Sequence, residues 1–168
     1  MKIRDEQPGD EQTIHALTDK AFAGAPYSDG TEAEIVRLLR AAGDLALSLV
    51  AEEDDTIVGH VAFSPLTIRG DDGPWFGLGP ISVEPKHQKQ GIGRALVAEG
   101  LARLRERGAR GCALIGDPNV YKGMGFESDG KLSYGEVPAK YVQRIVFIGA
   151  APQGELHYAP AFGAAGSG

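Results

Sequence analysis

The stretch Gly79-Pro80-Ile81-Ser82-Val83-Glu84-Pro85-Lys86-His87-Gln88-Lys89-Gln90-Gly91-Ile92-Gly93-Arg94-Ala95-Leu96 constrains this chain more than any other. Ile81 to Val83 is a short β-favouring run. Pro85 removes a backbone donor and stops pairing, and from Gly91 onward apolar residues recur at helical spacing. A strand therefore feeds through a turn into a glycine-rich helix start. The leading N–H groups of a helix lack internal partners and carry a fractional positive charge, so they bind anions. Glycine at 91 and 93 takes away Cβ atoms that would hold a phosphate off the backbone, and Gln88, Lys89, Gln90 and Arg94 bring donors and positive charge to the same point. The expected occupant is a diphosphate resting on Gly91-Ile92-Gly93-Arg94-Ala95.

Spacing separates the known phosphate cradles. A Walker loop needs four residues between its glycines and then Gly-Lys-Ser/Thr, which is absent here; a dinucleotide fingerprint needs a third glycine where this chain has Leu96. Gln88-Lys89-Gln90-Gly91-Ile92-Gly93 instead resembles the acetyl-CoA signature of the GNAT superfamily of N-acetyltransferases, Gln/Arg-x-x-Gly-x-Gly/Ala, and Val83-Glu84-Pro85 matches that family's strand ending. A second feature, Tyr121-Lys122-Gly123-Met124-Gly125-Phe126, is similar to the family's Tyr-x-x-x-Gly-Phe and follows the glycine cluster by about thirty residues. Gly116-Asp117-Pro118 before that tyrosine narrows the resemblance to the YhbS-like bacterial branch. The specific matches cover residues 79 to 126.

A length of 168 residues suits one domain, expected over 1–162 with a flexible small-residue tail at 163–168. A net charge of −6 argues against a nucleic-acid partner. Cys112 is the sole cysteine, so no internal disulfide forms, and the start of the chain lacks the apolar core of a signal peptide. Together with the lack of a long apolar run, this predicts a cytoplasmic protein without a membrane partner. His15, His60, His87 and His157 show no ligand spacing, so no metal is expected.

Taken in order, Met1–Gln7 reads as a strand, and Asp10 is the expected N-cap of a helix packing through Ile14, Leu17 and Ala21. Thr31 and Glu34 have capping-box spacing for a second helix, with Ile35, Leu38, Leu39 and Ala42 inward and Gly43 as its stop. Leu45–Leu49 and Thr56–Phe63 form a hairpin around Glu52-Glu53-Asp54-Asp55, and Arg69–Pro74 turns the chain into the signature strand. The glycine-rich helix runs to Gly108, packing through Gly93, Val97, Leu101 and Leu104. Ala109–Ile115 follows as a strand, a crossover that predicts a parallel pair. Tyr141–Ile148 and Glu155–Tyr158 are the last predicted strands. Cys112 and His60 read as buried structural residues.

The resemblance implies an α/β fold of the GNAT (acyl-CoA N-acyltransferase) type: a mixed, mostly antiparallel sheet flanked by helices, splayed between the signature strand and the Ala109 strand. It implies transfer of an acetyl group from acetyl-CoA to a primary amine of a small molecule or protein; the alternatives are a coenzyme A-binding module without turnover, or transfer of a longer acyl chain. By the same resemblance the backbone of Ile81-Ser82-Val83 pairs with the pantetheine arm, and N–H groups near Ser82 and Val83 polarise the thioester carbonyl. Tyr121 would protonate the departing thiolate, a phenol of reference pKa about 10 facing a thiol of about 8.5. Glu84 and Asp117 are both candidates for the base, each with a structural alternative at a strand end or turn, and Asn119 is either a coenzyme ligand or a turn former. Tyr27, Glu32 and Glu34 are candidates for the acceptor wall, and a homodimer is expected because many relatives pair.

Overall fold

Alternation along the strands decides which residues reach which helix. The computed structural model describes residues 1–26 and 28–166, with side chains through 164, and divides them into two compact units. One contains Met1–Ser64, Gly79–Gly100 and the chain from Ala159; the other contains Pro65–Leu78 and Leu101–Tyr158.

In the first unit, β1 (Lys2–Asp5), β2 (Leu47–Glu53) and the start of β3 (Thr56–Ile68) pair antiparallel, with Arg4 opposite Val50 and Val50 opposite His60. Ser48, Val50, His60 and Ala62 therefore share one face. On it lie α1 (Glu11–Phe22) and α2 (Glu32–Ala42), with Ile14 and Val36 packed on Val50 and Ala62. The other face receives α3 (Ile92–Glu106) closely, because Gly59 and Gly100 present no side chain: a Cβ at Gly59 would sit 2.9 Å from Ile92, and one at Gly100 2.3 Å from Phe63. The end of β4 (Asp71–Val83) lies under the first turn of α3, where Ile81 and Val83 approach Gly93.

In the second unit β4 pairs in parallel with β5 (Gly111–Ile115) from Trp75↔Gly111 to Gly77↔Ala113, and β5 pairs antiparallel with β7 (Val142–Val146). The parallel ladder stops at Gly77↔Ala113 although β4 continues to Val83. The end of β3 pairs antiparallel with β8 (Gly154–Tyr158), which takes the two-residue β6 (Leu132–Ser133) in parallel. Leu66, Ile68, Trp75, Ala113, Leu132, Val142 and Leu156 form the core here. Trp75, 1 % exposed, removes roughly 200 Å² from water, an upper bound of about 5 kcal/mol. Mixed, mostly antiparallel pairing with flanking helices is thus the architecture.

Several local expectations changed for identifiable reasons. Asp10 stands at the start of α1 but its carboxylate accepts from Arg4 and from the Gln7 N–H, both at 2.8 Å, and makes no helix cap. Thr31 likewise does not cap α2; its hydroxyl donates to Asp29 at 2.5 Å. Glu52 and Glu53 belong to β2, and the hairpin turns on Asp54 and Asp55 alone, both left-handed at φ 50° and 63°. Asp71 begins β4, since its carboxylate takes the Trp75 indole N–H and the Gly73 N–H. The predicted domain ends in α5 (Pro160–Gly166), whose Ala161 and Phe162 pack against Ile35 and Leu39 ahead of the 163–168 tail. Gly43 does end α2, left-handed at φ 77°. No helix among the described residues is long and apolar enough to cross a membrane.

Candidate active site

The turn before α3 is built by its own side chains. The Glu84 N–H donates to Val58 O at 2.8 Å, ending the pairing of β4, and Pro85–His87 then forms a single 3₁₀ turn. Glu84 Oε2 accepts the Lys86 N–H at 2.8 Å, and Gln88 Nε2 donates to Val83 O at 3.1 Å. Gln88 is therefore a brace for the turn. Lys89 at φ 64° and Gly91 at φ 85° are left-handed, and Ile92, 3 % exposed, anchors the helix start in the core. The first helical bond runs from the Ala95 N–H to Gly91 O at 3.0 Å, so among the described residues the N–H groups of Ile92 and Gly93 have no acceptor.

These residues fit a diphosphate. Lys89, Gln90, Gly91 and Arg94 are exposed, and a Cβ on Gly91 would meet nothing within 4 Å, which is what an open helix mouth requires. Gly93 differs: a Cβ there would point at Ile81 (3.5 Å) and Val83 (3.7 Å) of the strand, at ordinary contact distance. With Ile81 and Val83 turned to α3, Ser82 faces the other side of the sheet, 2 % exposed and with its hydroxyl unpartnered.

Glu84 is heavily engaged. Lys20 of α1 brings its ammonium within 2.7 Å of Oε1, and His87 Nδ1 lies 3.2 Å from Oε2. The Lys20 contact first, then His87 and the Lys86 N–H, hold this carboxyl down at about 2.

In the second unit the end of β5 delivers the tyrosine. Gly116 is fixed on both sides of its peptide, its N–H donating to Tyr141 O at 3.0 Å and its carbonyl accepting from Gln143 Nε2 at 2.9 Å. Asp117 then caps α4 (Pro118–Tyr121), Oδ1 accepting the Asn119 N–H at 2.9 Å. The Tyr121 ring lies over Gly116, where a Cβ would come within 2.7 Å of it, and meets Phe126 edge-on at 6.2 Å between centroids. Asn119 is exposed, and its backbone N–H donates to Asp117 Oδ1.

The three acceptor-wall candidates separate. Glu32 lines a cavity of about 320 Å³ with Asp19, Phe22, Ser28 and Gly30, accepting from the Ser28 hydroxyl at 2.7 Å. Glu34 pairs with Arg37 on the exposed side of α2. Tyr27 lies outside the described residues. Sequence reasoning missed Lys20 and Gln143, whose partners are distant in the chain and leave no local pattern.

His60 and Cys112 are buried, as expected. His60 Nε2 meets Ser48 Oγ at 2.8 Å; that hydroxyl donates to Glu6 at 2.7 Å, and Glu6 is clamped by Arg40. Burial pushes His60 down to about 4 and raises the Cys112 thiol. No group of three or more His, Cys, Asp or Glu among the described residues is placed to hold a metal ion.

An open helix mouth directly after a sheet strand is the phosphate seat of a coenzyme A-dependent acyltransferase, and that is the class to which the chain is similar. The profile of the "Acetyltransferase (GNAT) domain" matches residues 2–128, so the chain belongs to the GNAT acetyltransferase family. It is 41% identical over 128 residues to the "Uncharacterized N-acetyltransferase YhbS" of Escherichia coli (strain K12), covering 76% of this chain and 74% of the relative. Among solved structures, a GNAT family acetyltransferase from Brucella melitensis in complex with acetyl-CoA superposes with TM-score 0.85 at 46% identity, over 96% of this chain and 97% of that one. Escherichia coli YhbS in complex with CoA gives TM-score 0.87 at 33% identity, over 96% and 91%.

Proposed function

We propose that this N-acetyltransferase takes its acetyl group from acetyl-CoA and passes it to a primary amine. The observation that carries the reading is the helix mouth: acceptor-less N–H groups at Ile92 and Gly93 behind an exposed Gly91, set in the turn that follows the signature strand. Acetyl-CoA supplies an activated thioester. Ile92, Gly93, Lys89 and Arg94 would hold its diphosphate, and the backbone of Ile81–Val83 would hold its pantetheine arm and orient the carbonyl. The new N–C bond forms as the C–S bond breaks; Tyr121 gives its hydroxyl proton to the departing sulfur.

The amine's proton needs a different group. Glu84, held at about 2 and committed to Lys20, His87 and the Lys86 N–H, is weaker than an alkylamine by about eight pKa units and acts as the anchor of the coenzyme turn. Asp117 is exposed and keeps Oδ2 without a protein partner among the described residues, so it accepts the proton through water while Oδ1 caps α4. The cavity carrying Asp19 and Glu32 supports a cationic acceptor. Cytoplasmic residence and homodimer assembly belong to the same proposal, the second tested by sedimentation equilibrium.

The direct test is release of coenzyme A from acetyl-CoA across a panel of primary amines. Saturable, amine-dependent release is expected. Tight coenzyme binding with no release on any amine would contradict the assignment.

A further inference from the structure

Against α4 the second unit holds a cavity of about 440 Å³ that the proposed acetyl transfer does not use. Its size falls in the range of small-molecule sites. Pro118, Lys122, Phe126, Glu127, Lys140 and Gln143 line it, and their chemistry is uneven in an informative way.

Gln143 is 1 % exposed. Its Nε2 donates to Gly116 O at 2.9 Å, which fixes the orientation of the amide and leaves Oε1 as a pure acceptor. That oxygen is buried without a partner. A buried acceptor left unmatched is rare in folded proteins and calls for a donor from outside the chain. Water or a ligand hydroxyl would supply one; an apolar ligand would not.

The charge is equally specific. Among the described residues neither Lys122 nor Lys140 has a carboxylate within ion-pair distance, and the Lys140 ammonium lies 5.0 Å over the Tyr141 ring. Glu127 shares the Arg144 guanidinium with Asp129, at 2.7 and 3.1 Å, and neither carboxylate lies within ion-pair distance of the two lysines. Phe126, 2 % exposed, gives an apolar floor suited to a few carbons. Two unmatched cations and one unmatched acceptor describe a ligand with an anionic end and a hydrogen-bond donor.

We propose that this cavity binds a small organic anion bearing hydroxyl groups, such as a hydroxylated phosphate ester, with its charge on Lys122 and Lys140 and a hydroxyl donating to Gln143 Oε1. The other end of the same amide holds the Gly116 carbonyl behind Tyr121. Occupancy is therefore felt at the turn that delivers the tyrosine.

The experiment is an amide-resolved NMR titration of the full chain with glycerol 3-phosphate, n-propyl phosphate and glycerol, without and with saturating acetyl-CoA. Glycerol 3-phosphate should shift the amides of Lys122, Ser128 and Gly130 saturably, with and without acetyl-CoA. The propyl ester has the same charge and similar size but no hydroxyl, and should bind at least about tenfold more weakly, since a site built around a hydroxyl rejects the analogue lacking it. Glycerol should leave these amides unmoved. Lys122→Met, at an exposed position, should weaken both esters by about tenfold, as expected for loss of a charge-assisted hydrogen bond, and Gln143→Leu should erase the preference between them. Equal affinity for the two esters, an unaffected Lys122→Met, a preference that survives Gln143→Leu, or shifts that never saturate would overturn the proposal. Displacement by acetyl-CoA would overturn it too, by assigning the cavity to the coenzyme. Binding is the readout, so the result is independent of whether any amine is acetylated.

Discussion

Replacing Gly116 with alanine tests whether the Tyr121 hydroxyl is placed by the backbone beneath it. The added Cβ would lie 2.7 Å from Cε2 and 3.2 Å from Cδ2 of the ring, where ordinary contact begins at 3.4 Å, so the ring must retreat by about 0.7 Å. It cannot swing away cheaply. Phe126 meets it edge-on at an interplanar angle of 79°, and the Gly116 peptide is held from both sides by Tyr141 and Gln143. The hydroxyl moves with the ring. Since a misplacement of about 1 Å costs roughly 10²-fold in rate, the expected fall in kcat is between about 10- and 100-fold. Stability should drop by only about 1–3 kcal/mol, the usual penalty for overpacking.

The assay is steady-state coenzyme release with an amine that supports turnover, together with calorimetric titration of acetyl-CoA. Gly116→Ala should keep the coenzyme Kd within about twofold, because it changes only the tyrosine's seat. Tyr121→Phe should lower kcat at least as much, and the double variant should be no slower than Tyr121→Phe alone, since both remove the same proton donor. An unchanged kcat in folded Gly116→Ala, or losses that multiply in the double variant, would refute the reasoning.

Three other perturbations separate roles that overlap in the native chain. Asp117→Asn keeps a good cap for α4 but removes the proposed base, so kcat/KM should fall at least about tenfold with Tm unchanged, whereas Asp117→Ala also loses about 1 kcal/mol of cap; full activity in Asp117→Asn would send the proton elsewhere. His60 sits at about 4 when folded against about 6.5 when unfolded, so the unfolded chain protonates first: stability is complete above about pH 6.5 and declines as pH falls toward 4, by about 3 kcal/mol. Guanidinium unfolding at pH 7 and 4.5 should show that decline flattened in His60→Gln, and parallel declines would contradict it. Gly91→Ala forces a side chain to φ 85°, at about 1–2 kcal/mol, and places its methyl in the helix mouth, so coenzyme binding should weaken at least about tenfold; Gly93→Ala, whose methyl meets Ile81 and Val83 at ordinary distance, should change Kd by no more than about threefold. Calorimetry of the two variants decides, and equal effects would count against the distinction.

What could be read from the chain alone was local. Ile81 to Val83, Pro85 and Gly91 announce strand, stop and helix mouth because each acts on its own backbone. Gly43 ends α2 for the same reason. The missed features depend on distant partners. Asp10 and Thr31 have the right side chains to cap, yet Arg4 and Asp29 take them first. Glu84 is a candidate base by its place at the strand end; its pairing with Lys20, far away in sequence, leaves no local sign. Nothing around Gln143 hints that its amide holds Gly116, and nothing around Gly93 tells that its bareness faces Val83 and not the helix mouth. The α5 segment is poor in polar signals as well as large apolar ones, and only Phe162 and Ala161 against α2 explain its order.

The central claim is that the first turn of α3 grips the diphosphate of the acyl donor. Amide NMR of the chain titrated with coenzyme A tests it without any acceptor. The Ile92 and Gly93 amides should show the largest downfield shifts and saturate together with the calorimetric isotherm. Saturation of the isotherm with those two amides unmoved would place the coenzyme elsewhere and contradict the account.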